Sequence, residues 1–406
     1  VQEAMARGVL CDMFEGHAPY KPRYVLPDYE KFLRQGSAWL ELVPPRDFDE
    51  ALDALRILYH HVPSVNGMPV WLGRLDQLLL PFVGALDDET LHRKLKAFWI
   101  YLDRVLPDAF MHVNIGPDDN RLCRLILRID GELQQAAPNL SLFHDPAQTP
   151  DSLLLQGVEN IALCSKPHIV NYPLHRDTFD RRGFGIVSCY NALPLGGGAN
   201  TLVRLSLRAV AEQSAGVEDF MERMLSHHCE QASLLIEARA AFLHRESGFF
   251  DSFLVQEGLI EEGRFVPMFG IFGMAEAVNL LMEKAGLPGR YGHDEGANRL
   301  GHRISARLAE LVTSRPQSHA WGGRALLHAQ GGLSLDQGVT PGVRIPYGQE
   351  PDPASHLLAL APHHGFYPSG ISEILTLDPT IRQNPQALLQ LCKGAFALGM
   401  REFSAN

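Results

Sequence analysis

The sequence predicts an α/β protein built on a largely parallel sheet or barrel. Three observations carry that expectation. Apolar-periodic helical stretches alternate with short apolar runs through most of the chain. Gly and Pro bound the short runs, as they do buried strands. No internal repeat at a solenoid period is present. At 406 residues the chain exceeds one average domain, but α/β barrels reach this length as single units.

The elements follow in order. Residues 1–47 are irregular, and Pro19, Pro22 and Pro27 make them an extended arm wrapped on a body. Residues 48–61 place Leu52, Leu55 and Leu58 at helical spacing behind Asp49. Residues 86–106 read as a strong helix, with Leu91, Leu95, Phe98 and Leu102 on one face and acids at its start. A turn-rich connection covers 107–120, and a helix follows at 121–136. Leu140–Phe143, Ile161–Cys164 and Gly185–Tyr190 read as buried strands. The run Thr201–Leu207 is a further strand, leading into a helical block over 208–246 with Phe220, Leu225, Leu234, Leu235 and Phe242 as its stripe. Residues 264–285 read as strand or loop, then helix; 294–313 as helix; 324–331 as a buried strand. The segment 332–356 is a long loop, a length usually tied to function. A short element at 371–376 and a helix over 384–399 complete the chain.

Composition narrows the function. Hydrophobic content of 46% with 20% charged residues is that of a globular enzyme. A net charge of -11 with no basic cluster argues against nucleic acid as a partner. No 18-residue apolar run is present, so no membrane span is expected. The N-terminus lacks the layout of a signal peptide. The missing initial Met and the abrupt end at REFSAN read as cuts through a longer protein. Cys11, Cys123, Cys164, Cys189, Cys229 and Cys392 form no CxxC pair, which argues against a zinc ribbon or a disulfide framework. Reduced thiols in the cytoplasm are the expectation.

The chain is organised around Gly183–Leu207, GFGIVSCYNALPLGGGANTLVRLSL. Cys189 sits where a strand enters a Gly-rich turn. A free cysteine is commonly a buried small hydrophobe. Its neighbours Ser188, Tyr190 and Asn191 are polar or amphipathic, which a plain core thiol does not need. Gly196–Gly198 permits a sharp reversal and close backbone approach; without GK[ST] or GxGxxG it makes a weak phosphate cradle. His227, His228, Cys229 and Glu230 lie on a helix at spacings that cannot share one ion, and His60–His61 has the same weakness. His363 and His364, in APHHGFYPSG with Tyr367, are candidates for substrate binding or proton transfer; structural imidazoles in a turn are the alternative. Glu276 opens a helix and can serve its N-terminus or a partner inside the fold. Arg344, Glu350, Asp352 and Asp336 populate the long loop, each read singly as solvated surface.

GIVSCYNALPLGGGANTLVRLSLRAVA resembles the finger-loop region of glycyl radical enzymes, and the YjjI-type branch most of all, with some likeness to anaerobic ribonucleotide reductases. CDMFEGHAPYKPRYVLPDY, LPDAFMHVNIGPDDN, RFVPMFGIFGMAEAVNLL, PYGQEPDP and LAPHHGFYPSGISEILTLD resemble that branch. APNLSL and PHIVN resemble the wider family. The resemblance covers the whole chain, residues 1–406, read as one barrel body. It implies a ten-stranded α/β barrel of two antiparallel five-stranded halves, surrounded by helices and threaded by a central cysteine finger loop. It implies Cys189 as the thiyl residue, formed when a radical on a backbone glycine passes to its thiol. It also implies a separate activating enzyme that uses S-adenosylmethionine and an iron–sulfur cluster, with no metal bound to this chain.

The resemblance has departures. The family's glycine sits in a C-terminal RVxGY-like motif, and no such motif occurs here. The expectation is that the glycine lies on a segment outside this sequence or on a second polypeptide. Where dehydratases and decarboxylases of the family carry Cys-x-Glu, this chain has Asn191, which cannot take a proton. Ser188 before Cys189 disfavours the two-cysteine chemistry of pyruvate formate-lyase. The resulting expectation is an anaerobic, cytoplasmic, homodimeric radical enzyme. It would act on a small polar metabolite by C–O or C–C cleavage or rearrangement, with Asn191, His363, His364 and Tyr367 lining the site. A catalytically silent relative that binds a metabolite or acts as a scaffold is the alternative; a His-rich metallohydrolase would need bound metal.

Overall fold

The computed structural model describes residues 1–12, 20–65, 71–105, 111–188, 190–329 and 338–406. Its strands, in chain order, are β1 (Leu10–Asp12), β2 (Tyr24–Leu26), β3 (Trp71–Arg74), β4 (His112–Ile115), β5 (Asn139–His144), β6 (His168–Asn171), β7 (Phe184–Val187), β8 (Asn191–Pro194), β9 (Gly197–Ser206), β10 (Phe265–Phe272), β11 (Leu326–Ala329) and β12 (Glu402–Phe403). Ten of these divide into two five-stranded sheets. One has the order β12-β6-β5-β4-β3, with β3 to β6 parallel and β12 antiparallel at the edge. The other has β9, β10 and β11 parallel, with β1 and β2 antiparallel along successive stretches of β9.

The remaining pair, β7 and β8, is an antiparallel hairpin held between the sheets. Strand β7 lies against β3 and β4, and β8 against β9 and β10. The sheet edges are stitched together past the hairpin: Ala329, at the end of β11, bridges Ile371, and Leu375 bridges Ala405 just beyond β12. On the other side β2 lies against β3, where Tyr29 Oη donates to the Trp71 carbonyl at 3.0 Å. The result is the expected α/β barrel of two five-stranded halves with a finger inside.

Strand alternation separates an apolar outside from a mixed inside. Val113 and Ile115 of β4, with Leu140 and Leu142 of β5, join the apolar layer formed by the helices Asp88–Arg104 and Arg121–Leu133. Ile169 of β6 packs outward with Leu154, Val158 and Leu388. Phe269 and Ile271 of β10 and Leu327 of β11 join Val278, Leu281 and Ile304 outside the second sheet. The predicted stripe Leu91, Leu95, Phe98 and Leu102 is buried, each residue contributing about 1.5–3 kcal/mol of burial. That helix starts where Asp87 accepts the Thr90 N–H at 2.8 Å.

Some local expectations change. Ile161–Cys164 is not a strand but the last turn of the helix Asp151–Cys164. Its face needs Leu153, Leu154, Val158 and Ile161 together, a helical spacing that a four-residue window hides. The connection 107–120 contains β4, whose residues HVNI show alternation too short to stand out. The arm over 1–47 contributes β1, β2 and the helix Tyr29–Gln35. The turn after position 189 is not the glycine run. Strand β7 ends at Val187 and β8 starts at Asn191, whereas Gly197 and Gly198 already belong to β9. Gly198 is needed there because a β-carbon would stand 2.0 Å from the Tyr24 carbonyl oxygen of β2. Residues 330–337, which span the end of the expected strand 324–331 and the start of the long loop with Asp336, lie outside the described residues, and a helix begins within the loop at Pro353.

Candidate active site at the hairpin tip

The hairpin is held by its backbone. Asn114 of β4 accepts the Ile186 N–H on Oδ1 at 2.9 Å and donates Nδ2–H to the Ile186 carbonyl at 3.0 Å. Trp71 Nε1 donates to the same Oδ1 at 2.8 Å. On the other flank, Ser369 accepts the Ala192 N–H at 3.1 Å, and its Oγ donates to the Ala192 carbonyl at 3.0 Å. Beside the tip, Gly370 has φ +95°, and a β-carbon there would meet the Tyr190 carbonyl oxygen at 2.2 Å. Cys189 itself lies outside the described residues. Its neighbours Ser188 and Tyr190 have φ of +52° and +64°. Left-handed backbone at non-Gly residues costs energy and concentrates at functional sites.

The strand faces turned inward are polar around this tip. Asn114, Ser141 and His168 stand in register on β4, β5 and β6. His168 Nδ1, Tyr190 Oη and Ser404 Oγ form a triangle in which each pair is 2.8 Å apart. His112 Nδ1–H donates to the Ser188 carbonyl at 3.2 Å, and His112 Nε2 then accepts from Ser141 Oγ at 2.6 Å. From the second sheet, His328 Nδ1–H donates to the Ser369 carbonyl at 3.0 Å, while its buried Nε2 has no hydrogen-bond partner among the described residues.

The imidazoles here are neutral bases. Burial pushes His112 well below its usual value, and the neighbouring His168 adds to this. Burial brings His168 down to about 3, helped by the positive charges of Lys166 and Arg344. Burial holds His328 at about 4, against the Ser369 hydrogen bond and the Glu402 charge. Glu402 of β12 is the anion behind the tip. Burial works against its ionisation, but the hydrogen bond from His175 Nε2, 2.7 Å away, holds its carboxyl below the usual range. Burial keeps His175 itself below its usual range, so the pair is a neutral imidazole donating to a carboxylate.

The candidate residues separate in space. Asn191 is buried at the start of β8; its Nδ2 donates to the Val187 carbonyl at 3.0 Å, and its Oδ1 has no partner among the described residues. His364 belongs to the Glu402 cluster: its Nδ1 accepts the Arg401 N–H at 3.0 Å and lies 3.6 Å from Glu402. His363 and Tyr367 lie elsewhere. His363 is bonded to Tyr291 Oη at 3.0 Å and Ser305 Oγ at 2.7 Å, and Tyr367 Oη sits 3.0 Å from the same Ser305 oxygen. That closed network joins the helix Glu295–Thr313 to the 3-10 turn Ala361–Phe366, which stands where a loop was expected. Glu276 accepts from the Thr340 N–H at 2.9 Å, a tie inside the fold. Among the described residues no cluster of His, Cys, Asp or Glu could hold a metal ion.

Sequence reading passed over His112, Ser141, His168, Ser404 and Glu402. His112, Ser141 and His168 stand within LPDAFMHVN, APNLSL and PHIVN, and each occupies an inward strand position. A polar residue alternating with Val, Leu or Ile was the available signal.

A family model, glycyl radical enzyme YjjI-like, matches residues 1–406. The chain belongs to the YjjI-like glycyl radical enzymes. It is 60% identical to the YjjI protein of Escherichia coli (strain K12), over all of this chain and 79% of that one. It is 38% identical to a protein of Haemophilus influenzae (strain ATCC 51907 / DSM 11121 / KW20 / Rd), over 97% of this chain and 77% of that one. Among solved structures, an anaerobic ribonucleotide reductase superposes with a TM-score of 0.80 at 11% identity, covering 99% of this chain and 73% of that one. Hydroxyproline dehydratase from Clostridioides difficile gives 0.74 at 12% identity, covering 100% and 76%. The B12-independent glycerol dehydratase from Clostridium butyricum gives 0.71 at 13% identity, covering 90% and 62%. These likenesses show the shared glycyl radical enzyme fold. Membership of the family implies a glycyl radical. The barrel interior fits such chemistry: the residues flanking Cys189 are held between two sheets, among side chains withdrawn from solvent.

Proposed function

We propose that this YjjI-like chain is the barrel body of a radical enzyme in which Cys189 performs the hydrogen-atom transfer. The substrate is a small polar metabolite, and the reaction is C–O or C–C cleavage or rearrangement. The observation that carries this reading is the hairpin whose strands end on either side of residues 188–190, buried between two sheets with a polar lining. The family's glycyl radical, when present, supplies the oxidising equivalent that reaches the cysteine. A thiyl at Cys189 then takes a hydrogen atom from a substrate carbon, forming S–H and a carbon radical. Return of that hydrogen atom to the product radical regenerates the thiyl, so no external oxidant is consumed.

The other residues in this reading bind and move protons. His112 and Asn114 fix the hairpin backbone and so the position of the thiol. Tyr190 and His168, linked at 2.8 Å, are a phenol and a neutral imidazole suited to exchange a proton with a substrate hydroxyl. His328 Nε2 and Asn191 Oδ1 are acceptors for such hydroxyls, and His364 has a supporting role, holding the Arg401 N–H beside Glu402. The sealed network around His363 and Tyr367 favours a supporting role for those two. A separate S-adenosylmethionine-dependent activase and a homodimeric, cytoplasmic state complete the proposal.

The test uses the full-length protein with its activase, S-adenosylmethionine and reductant, without oxygen. A glycyl doublet by electron paramagnetic resonance is expected, and its absence sinks the reading. Cys189→Ala should keep that signal and lose turnover; retained turnover removes Cys189 from the mechanism.

A further inference from the structure

We propose that the barrel takes a metabolite bearing an oxyanion, carboxylate or phosphoryl, and that Arg344 recognises it. This rests on the barrel interior being the substrate site, and it names the substrate class.

Arg344 is built into the fold rather than carried on a free loop. The segment leading to it is tied to the end of β10: Phe272 bridges Pro341, Gly273 N–H donates to the Thr340 carbonyl at 2.8 Å, and Glu276 holds the Thr340 N–H. The guanidinium is fixed by Ser372, with Nε donating to its carbonyl at 2.5 Å and Nη2 to its Oγ at 2.9 Å. Ser372 N–H donates to the Ala329 carbonyl at 3.0 Å, which seats it at the end of β11. Two residues earlier, Gly370 lies against the Tyr190 carbonyl. Arg344 is therefore anchored beside the hairpin tip.

Its charge is uncommitted. Among the described residues the hydrogen bonds of its side chain go to Ser372 alone, and no carboxylate stands within ion-pair distance. The side chain is half-buried. A half-buried guanidinium, locked on one side by Ser372 and without a carboxylate on the other, is arranged for an oxyanion arriving from elsewhere. The first sheet agrees: His168 of β6, an inward strand position beside the hairpin tip, is near enough to feel the Arg344 charge. Among the described residues, His328 Nε2 and Asn191 Oδ1 are fully buried acceptors without partners, placed for hydroxyl donors. Together they describe a ligand with an oxyanion at one end and hydroxyl groups along it.

The test is equilibrium binding to the full-length, unactivated protein with three probes of one skeleton: glycerol, glycerate and glycerol 3-phosphate. One or both anions should bind at millimolar concentrations at least about tenfold more tightly than glycerol. Which anion binds better tells a carboxylate from a phosphoryl substrate. Arg344→Gln should weaken the anion by about ten- to a hundredfold and leave glycerol unchanged; Arg344→Lys should recover part of the loss. Thermal unfolding of each variant checks that it is folded. Equal binding of glycerol and the anions, failure of both anions to bind, or anion binding unaltered in a folded Arg344→Gln variant overturns the proposal. Because no radical is needed, a failure here is separate from a missing glycyl signal, which counts against the radical reading instead.

Discussion

Asn114 grips one peptide unit of the hairpin with both ends of its side-chain amide, accepting from Ile186 N–H at 2.9 Å and donating to Ile186 C=O at 3.0 Å. A strand buried between two sheets cannot use water for these groups, so a single Asn supplies what a neighbouring strand would. Asn114→Ala strands the Ile186 N–H and C=O and removes the partner of Trp71 Nε1. The expected cost is about 2–4 kcal/mol of stability, read as a fall in the denaturant midpoint. Turnover should fall further than stability explains, since the hairpin positions Cys189. A wild-type midpoint would show that the grip is dispensable.

Tyr190→Phe tests the phenol–imidazole pair. His168 and Ser404 remain 2.8 Å apart and keep each other satisfied, so the stability cost should be small, about 1 kcal/mol. Turnover should fall by about 10²-fold if the phenol moves protons. Comparable losses of stability and rate, with an unchanged pH–rate profile, would reduce Tyr190 to a structural part.

The buried imidazoles predict an acid limit to stability. His168 and His328 have folded values of about 3 and about 4, below the 6.5 of an exposed histidine. The unfolded chain therefore binds more protons at acid pH. Stability from these groups is complete above pH 6.5 and is lost as pH falls towards their folded values. His328 alone accounts for about 3 kcal/mol across that window. Unfolding midpoints measured from pH 7 to 4 should fall steeply, and His328→Gln should flatten the slope by up to one proton. A midpoint independent of pH down to 4.5 contradicts the assignment.

Outside the site, Lys166 Nζ pairs with Asp130 at 2.6 Å, and Trp99 and Asn160 also donate to Asp130. Both members of the pair are buried. Lys166→Met leaves an uncompensated carboxylate and should cost about 3–5 kcal/mol. Adding Asp130→Asn should restore much of that loss, because the amide keeps an acceptor for Trp99 without the charge. A double variant no more stable than the single one would mean that packing, not charge, dominates there.

Much of this protein was legible in its sequence, for a physical reason. Helices such as Asp88–Arg104 announce themselves through local spacing and capping, and the hairpin stretch does so through polar residues and glycines between apolar runs. The family motifs were equally local, and they led to the ten-strand, two-sheet barrel. What the chain could not disclose is which distant residues meet. Strand β12 is two residues long, yet it sets Glu402 beside His175 and Ser404 beside His168, across more than two hundred positions. His363 and His364 are adjacent in sequence but serve separate networks, because a 3-10 turn points successive side chains in different directions. Arg344 read as solvated surface until Ser372 and Thr340 fixed its segment at the end of the barrel. Periodicity is written within one element; the partners of inward-facing polar groups are chosen only when the sheets close around the finger.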